Sequence, residues 1–481
     1  MRSTLVSALV LLGFVALVSP VAKTRFLGRA QPPAPPQAFP ATAPQQPRSL
    51  PALGAVPPLP ASPQPPAPNP QPQRVEPIGF AAAAGQTAYS APQATAKAPI
   101  NPNQVGWAGR MEKDLNSLPP LTKQMLLTSR RGADWLSRMN GVKGLFSPGI
   151  EPAIREEAAD EGMLRQIGSA WALNRAAQAF ADPKYEARAL QSMLCALEET
   201  TVDPTDPKAR HTSVPQVLMP RLFGTALLAL ALVDQLSPPS DMVERSEELV
   251  NYLRREGQNE ARAKPATGTQ ATHPAGQRYL VAYTLLKSNK VRPAPWKPEL
   301  AAALLESANG PVDAQAQPWQ GLALAEWSRT RGDREAAARL YAACEELVRW
   351  QQSKLNPAHP RQLGGFQPPV ASGNQPAGSQ LAPPTTTSSS AILLTLAEAA
   401  TLSREMGDAT RNQALMEAID RGTQFIAQNQ YTEATTQHFA EWYRPLLEGG
   451  FRDTERAGTL SLGTQQMALM AMVQSLRASA P

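Results

Sequence analysis

The stretch Glu441–Met472, EWYRPLLEGGFRDTERAGTLSLGTQQMALMAM, joins a charged, aromatic segment to a run of small and apolar residues through Gly-Gly-Phe. Two earlier segments end in a similar way, Gly132–Phe146 (GADWLSRMNGVKGLF) and Leu347–Phe366 (LVRWQQSKLNPAHPRQLGGF). Each ends a helical pattern, crosses a polar loop and finishes in Gly-Leu-Phe or Gly-Gly-Phe. We therefore predict that all three segments are corners through which the chain passes from an outer to an inner helix.

The corner prediction gives each residue type a physical role. Glycine adopts positive φ at no steric cost, and the positions concerned are Gly144, Gly364, Gly365, Gly449 and Gly450. A phenylalanine can fill the gap between neighbouring helical hairpins, and these are Phe146, Phe366 and Phe451. Glutamines near the helix ends can bond the exposed carbonyls of the turn, and these are Gln351, Gln352, Gln428 and Gln430.

From Trp107 onward, apolar residues recur at i, i+3, i+4 and i+7, and alternating strand-like runs are essentially absent, which predicts an all-α domain. Helices apolar on nearly every side, such as PQVLMPRLFGTALLALALVDQL, alternate with helices charged on one face, such as MVERSEELVNYLRREG. The first kind is typical of inner helices and the second of outer helices, and about six of each predict an α/α toroid. An open solenoid is the alternative, because PWQGLALAEWSRTRGDREAAARLYAACEELV resembles one tetratricopeptide unit.

The N-terminal region divides into two segments of unusual composition. Residues 1–30 place an apolar run from Leu5 to Val18 behind Arg2, which is the pattern of a secretory signal or of an uncleaved anchor spanning about residues 5–22. Residues 31–106 are rich in Pro, Ala and Gln, which predicts a disordered linker. We expect the toroid to occupy residues 107–481 and the protein to be exported, as a periplasmic, cell-envelope or secreted protein.

Charge and cysteine content limit the binding partners and metal sites that we expect. The formal charge of +6 is scattered, with basic residues in pairs at most, so we expect no nucleic-acid binding. Cys195 and Cys344 fall on apolar helix faces, which favours buried thiols, with a disulfide between neighbouring helices as the alternative. Neither has a His or a second Cys at ligand spacing, so we expect no metal site, and no motif calls for a cofactor.

A helix end carrying Gln, then Gly-Gly-Phe, then an Ala-rich helix resembles the repeat of the terpenoid-cyclase and prenyltransferase-like α/α toroids. The resemblance covers most of residues 107–481 and implies a fold without a particular activity. The acidic Asp-x-Asp-Asp motif of the cyclases is missing, since the runs REEAADEG and DPTDP do not match it. The zinc-dependent members use Asp, Cys and His ligands, whereas both cysteines here fall in outer-helix segments. The Cys and Gln loop of the thioester-bearing members is also absent.

The face where inner helices begin carries the candidate site, because helix starts present free N–H groups and follow the longest loops. Three carboxylates there are candidates for acid or base catalysis: Glu441, Asp453 and Asp160. The candidates for ligand binding, chiefly by stacking on a sugar ring, are Trp442, Tyr443, Trp319, His438 and His359. The competing interpretation is that the carboxylates cap helices and the aromatics belong to the core.

Two polar, low-complexity loops, ARAKPATGTQATHPAGQ and QPPVASGNQPAGSQLAPPTTTSSS, favour a surface that binds over a tight catalytic pocket. The sequence therefore favours a non-catalytic binding or envelope-associated protein with a protein or glycan ligand. The first alternative is a carbohydrate-active hydrolase or lyase that uses the carboxylates at the inner-helix starts. The second is a tetratricopeptide-like adaptor.

Overall fold

The computed structural model describes residues 106–157, 162–213, 221–262, 275–310, 312–369 and 383–480. The signal or anchor segment and the Pro-rich linker lie outside these ranges. No helix in the described part of the chain has the length and apolar character needed to cross a membrane. In chain order the helices are α1 (Trp107–Lys113), α2 (Pro120–Met139), α3 (Gly162–Phe180), α4 (Pro183–Glu198), α5 (Arg221–Val233), α6 (Ser240–Arg262), α7 (Ala275–Val291), α8 (Trp296–Ser307), α9 (Trp319–Arg331), α10 (Arg334–Arg349), α11 (Thr386–Glu405), α12 (Ala409–Gln428), α13 (Glu433–Thr436), α14 (Arg444–Leu447) and α15 (Leu462–Ser479).

Six inner helices form a ring, and six outer helices surround it, which confirms the predicted α/α toroid. The inner helices are α3, α5, α7, α9, α11 and α15, and the outer helices are α2, α4, α6, α8, α10 and α12. Inner helices are buried along most of their length; every residue of α5 from Gly224 to Val233 is buried. Outer helices bury one face, as α6 does through Leu249, Val250 and Leu253. The alternation of helix type in the sequence therefore reports which ring each helix joins.

The ring is closed, because its last inner helix packs against its first elements. Helix α15 contacts α11 on one side and both α2 and α3 on the other. The side-chain amide of Gln430, just after α12, donates to the Thr128 carbonyl in α2 at 3.0 Å. The indole of Trp135 in α2 donates to the Leu446 carbonyl at 2.9 Å. The open solenoid, and with it the tetratricopeptide-like alternative, is therefore wrong.

The three corners share one hydrogen-bond pattern. In each, an amide side chain at the helix end donates to the carbonyl of the positive-φ glycine: Asn140 to Gly144 at 2.8 Å, Gln351 to Gly364 at 3.0 Å, and Gln430 to Gly449 at 3.0 Å. The backbone N–H of each phenylalanine then donates to a side chain on the following inner helix, which is Gln166, Ser389 or Gln465. The phenylalanines are buried, as a gap-filling role requires.

The corner prediction is correct for only one glycine of each Gly-Gly pair. Gly144, Gly364 and Gly449 have φ of 81°, 87° and 93°, whereas Gly365 and Gly450 do not have positive φ. At Gly365 and Gly450 a Cβ would lie 2.6 Å from Pro384 and 2.7 Å from Leu460, respectively, so the second glycine permits close packing. Of the four glutamines, Gln351 and Gln430 bond the glycine carbonyls of the turn, and Gln352 donates to the Lys354 carbonyl in the same loop at 3.4 Å. The Gln428 side chain makes no such bond within the described residues.

Short strands are a feature that the helical pattern does not predict. The sheet elements are β1 (Gly149–Glu151), β2 (Glu156–Glu157), β3 (Thr200–Asp203), β4 (Asp206–Thr212) and β5 (Leu460–Ser461). Strand β1 pairs with β2 and also with β5, which joins the first crossover of the ring to the last. Runs of two to seven residues are too short to show a clear alternating pattern. Cys195 on α4 and Cys344 on α10 are free thiols.

Candidate functional site

We call the side of the ring where the inner helices begin the start face, and the opposite side the end face. Trp442 lies on the start face, in the crossover from α12 to α15, and its side chain is 67% exposed. The guanidinium of Arg155, from the β1–β2 turn, lies 5.9 Å from the centre of the indole ring. Glu441 is exposed beside it. Pairing of β1 with β5 therefore brings the first and last crossovers together at an accessible aromatic side chain.

Asp453 lies on the same face but is buried, with 3% of its surface exposed. Its carboxylate accepts hydrogen bonds from the backbone N–H of Thr387 at 3.0 Å and from the Thr387 hydroxyl at 2.6 Å. Burial raises the pKa of Asp453, and the hydrogen bonds from Thr387 and Thr464 oppose that effect. Asp453 therefore satisfies a free N–H in the first turn of α11, as the capping interpretation expects.

The other candidates are dispersed over the start face. His438 is exposed and its ring centre lies 4.1 Å from that of Phe439, while His359 is half-buried before the turn Pro360–Gln362. Tyr443 is buried, and burial raises the pKa of its hydroxyl. Asp160 lies outside the described residues. Of the three predicted carboxylates, the structure thus places Glu441 in solvent and Asp453 in the interior.

Trp319 is a core residue and not an accessible stacking platform. It is 3% exposed, and its ring centre lies 5.7 Å from that of Trp171 with the two planes 18° apart. Phe223 meets the edge of Trp319 at 5.8 Å. These side chains come from α9, α3 and α5, so together they fill the ring axis. The prediction that Trp319 faces a ligand is therefore contradicted by its burial.

A network of charged residues lies inside the ring and was not predicted from the sequence. Asp234, directly after α5, lies 2.6 Å from Arg175 Nε and 2.7 Å from Lys287 Nζ. Glu398 on α11 accepts from Arg329 on α9 at 2.9 Å. These ion pairs hold the pKa of both carboxyl groups below their usual values, against the opposing effect of burial. Both carboxyl groups are therefore ionised at neutral pH.

A sequence signal for this network exists. Arg175, Asp234, Glu326 and Glu398 each interrupt a helical segment that is otherwise almost entirely small and apolar, as in LLTLAEAATL. A charged residue on a helix that is buried on every side needs a partner inside the fold. Removing the partner of a buried charge costs of order 3–5 kcal/mol. The signal predicts an internal ion pair but does not identify its partner.

Comparisons with known proteins identify the fold. No family model matches the sequence, and no curated relative was found. Among solved structures, the GH76A α-1,6-mannanase of Salegentibacter sp. HEL1_6 aligns with a TM-score of 0.52 at 11% identity, covering 73% of this chain and 99% of that one. An unsaturated glucuronyl hydrolase of Streptococcus agalactiae aligns at 0.51 and 12%, covering 78% and 96%. The cellobiose 2-epimerase of Bacillus thermoamylovorans aligns at 0.50 and 9%, covering 75% and 99%.

These comparisons correct the functional interpretation of the sequence. The preference for a non-catalytic binding or envelope-associated protein is wrong, because the solved structures that share this toroid are carbohydrate-active enzymes. They favour the first alternative, a hydrolase or lyase. The resemblance to terpenoid cyclases holds at the level of the α/α toroid. At identities of 9–12% the likeness establishes the fold, and the activity is a separate question.

Proposed function

We propose that this protein is a carbohydrate-active hydrolase or lyase that binds its glycan on the start face. The observation that carries the proposal is Trp442, a residue that is 67% exposed, that follows the exposed Glu441 in the sequence and that lies near the guanidinium of Arg155. An exposed indole offers a flat apolar surface with little loss of side-chain entropy on binding. A solved complex with the same toroid fold, an inactive variant of the Salegentibacter mannanase, contains α-1,6-mannotriose (TM-score 0.50, 10% identity).

The proposed chemistry needs two carboxyl groups. Glu441 is accessible to a substrate and to water, so we assign it the role of base. Asp160 follows Arg155 by five residues in the sequence and is the candidate for the second group. Asp453 is bonded to the start of α11, so we assign it a positioning role for that helix. On the same face Arg361 pairs with Glu455 at 3.3 Å, which adds charged groups suited to a polar ligand.

The test is turnover and binding of a panel of neutral and uronate-containing polysaccharides by the full chain. Released reducing ends report hydrolysis, and the ultraviolet absorbance of an unsaturated product reports lyase activity. Glu441→Gln should lower kcat by about 100-fold or more with little change in KM, as expected for loss of a general base. Trp442→Ala should weaken binding about tenfold, equivalent to about 1.4 kcal/mol.

Trp296→Ala is the control away from the start face, because Trp296 also lies near an arginine, with Arg254 4.8 Å from its ring centre, between α6 and α8. Trp296 is half-buried against the core, so the thermal midpoint of each variant is measured beside its glycan binding. Equal loss of glycan binding in the two tryptophan variants would argue against a start-face site. Absence of turnover by the wild-type protein on every glycan of the panel would contradict the enzymatic proposal.

A further inference from the structure

A small cavity lies inside the ring toward the end face, on the side opposite Trp442. Its volume is about 40 Å³. Apolar side chains from four inner helices, α3, α9, α11 and α15, form part of the wall, and Trp107 of α1 also lines it. The polar residues that line it are Arg175, Gln178, Glu398, Gln474 and Arg477. The chamber therefore has a mixed wall, in which polar and apolar side chains alternate with the indole of Trp107.

The acceptors in and around this chamber already have donors. Asp234 pairs with Arg175, which lines the chamber, and with Lys287, and it also accepts from the Trp171 indole N–H at 2.8 Å. The Gln178 amide donates to the Asp234 carbonyl. Glu398 accepts from Arg329. The carboxylates near the chamber are thus neutralised by cations of the ring itself.

One buried donor is left over, and an arginine lies close to it on the same helix. The side-chain nitrogen of Gln474 is buried and has no hydrogen-bond partner, in a residue that is 5% exposed. Arg477, one turn later on α15, is exposed, and its charge helps to lower the pKa of Glu398. A buried donor without a partner costs about 1–3 kcal/mol, so the chamber calls for an acceptor that the described chain does not provide.

We propose that the chamber lined by Arg175, Gln474 and Arg477 binds a small oxyanion, the carboxylate or phosphate group of a ligand. A volume of about 40 Å³ equals about three water-sized spheres, which suits such a head group and is too small for a sugar ring. The oxyanion accepts from the Gln474 amide and from the exposed guanidinium of Arg477. It also accepts from the guanidinium nitrogen of Arg175 that neither Asp234 nor Tyr283 engages. This inference does not depend on the proposed glycan chemistry on the opposite face.

The experiment titrates the full chain with inorganic phosphate, acetate and chloride at constant ionic strength, by calorimetry and by the thermal midpoint. We expect phosphate, acetate or both to bind saturably at one site and raise the midpoint, and chloride to do neither. The two oxyanions distinguish a phosphate ligand from a carboxylate ligand. Saturable binding should weaken at least about tenfold in Arg477→Gln and in Gln474→Leu, a loss of about one charge-assisted hydrogen bond.

Two further variants separate loss of the site from loss of the fold. Gln474→Glu places a carboxylate where the ligand would lie, so it should abolish the response to oxyanions while keeping or raising the thermal midpoint. Arg349→Gln is the control, because Arg349 is an exposed arginine on the outer helix α10. If oxyanions give no more than the chloride response, or if Gln474→Glu binds them as the wild type does, the chamber holds water only and the proposal is overturned.

Discussion

Asp453 is the residue at which the capping and catalytic interpretations of the start face can be separated. Burial raises its pKa, so the folded state holds the proton more tightly than the unfolded state. Its contribution to the free energy of unfolding is therefore fully present at acidic pH and is lost as the pH rises through the folded-state pKa. Asp453→Asn carries no titratable proton and should lose this pH dependence. Urea unfolding of both proteins across pH 4–8 measures the difference directly.

Asp453→Ala is the companion variant. It also removes the acceptor for the Thr387 N–H and hydroxyl, and it should cost about 1–2 kcal/mol more than Asp453→Asn at every pH. The comparison of the wild type with the two variants isolates the titration of Asp453. The pKa values of Asp234 and Glu398 are lowered, and these groups contribute equally to the pH dependence of unfolding in all three proteins. A constant difference between wild type and Asp453→Asn over this pH range would rule out the titration of Asp453.

The corner between α12 and α15 requires close packing of Gly449 against the backbone of α2. Gly449 has φ of 93°, and a Cβ there would lie 2.3 Å from the Arg131 carbonyl oxygen of α2. Gly449→Ala should therefore cost well over 2 kcal/mol or prevent folding, since it combines backbone strain with a clash against main chain. Gly332 follows the end of α9 in the left-handed conformation, and a Cβ there would meet no neighbouring atom. Gly332→Ala should therefore cost only about 1 kcal/mol. Similar unfolding midpoints for the two variants would contradict the packing role of this corner.

Ring closure of the whole molecule packs α15, the last helix of the chain, against the first helices. Helix α15 contacts α2, α3, α11 and α12, so its removal exposes buried surface on four helices. A chain that ends at Ser461 should lose cooperative unfolding. The free energy contributed by the apolar contacts of α15 exceeds the total free energy of unfolding of a domain, which is typically about 5–15 kcal/mol. Circular dichroism with urea titration tests this, and a chain that begins at Gly106 should keep the wild-type midpoint. Cooperative unfolding without α15 would mean that the ring tolerates an open edge.

The sequence predicts those parts of the fold that depend on local pattern. Corner residues such as Gly364 and Phe366 are recognisable because positive φ and an apolar plug are properties of neighbouring residues. The role of Gly450 is not recognisable, because it depends on contact with Leu460 and Trp135, the second of which lies 315 residues away along the chain. The same limit applies to the candidate site. Trp442 and Glu441 lie in a polar crossover and are exposed, whereas the burial of Asp453 and Trp319 depends on which helices meet in the ring.

The position of α1 also sets how the molecule can be oriented on a support. A Cβ at Gly106 would lie 2.3 Å from the Ala179 carbonyl oxygen, so the described chain begins against the last turn of α3, on the end face. Trp442 and Glu441 lie on the opposite face. Coupling a chain that begins at Gly106 to a solid surface through its first residue therefore leaves the indole pointing into bulk solution, where a large polymer can reach it. Coupling through Lys354, near the corner between α10 and α11, would instead crowd that side.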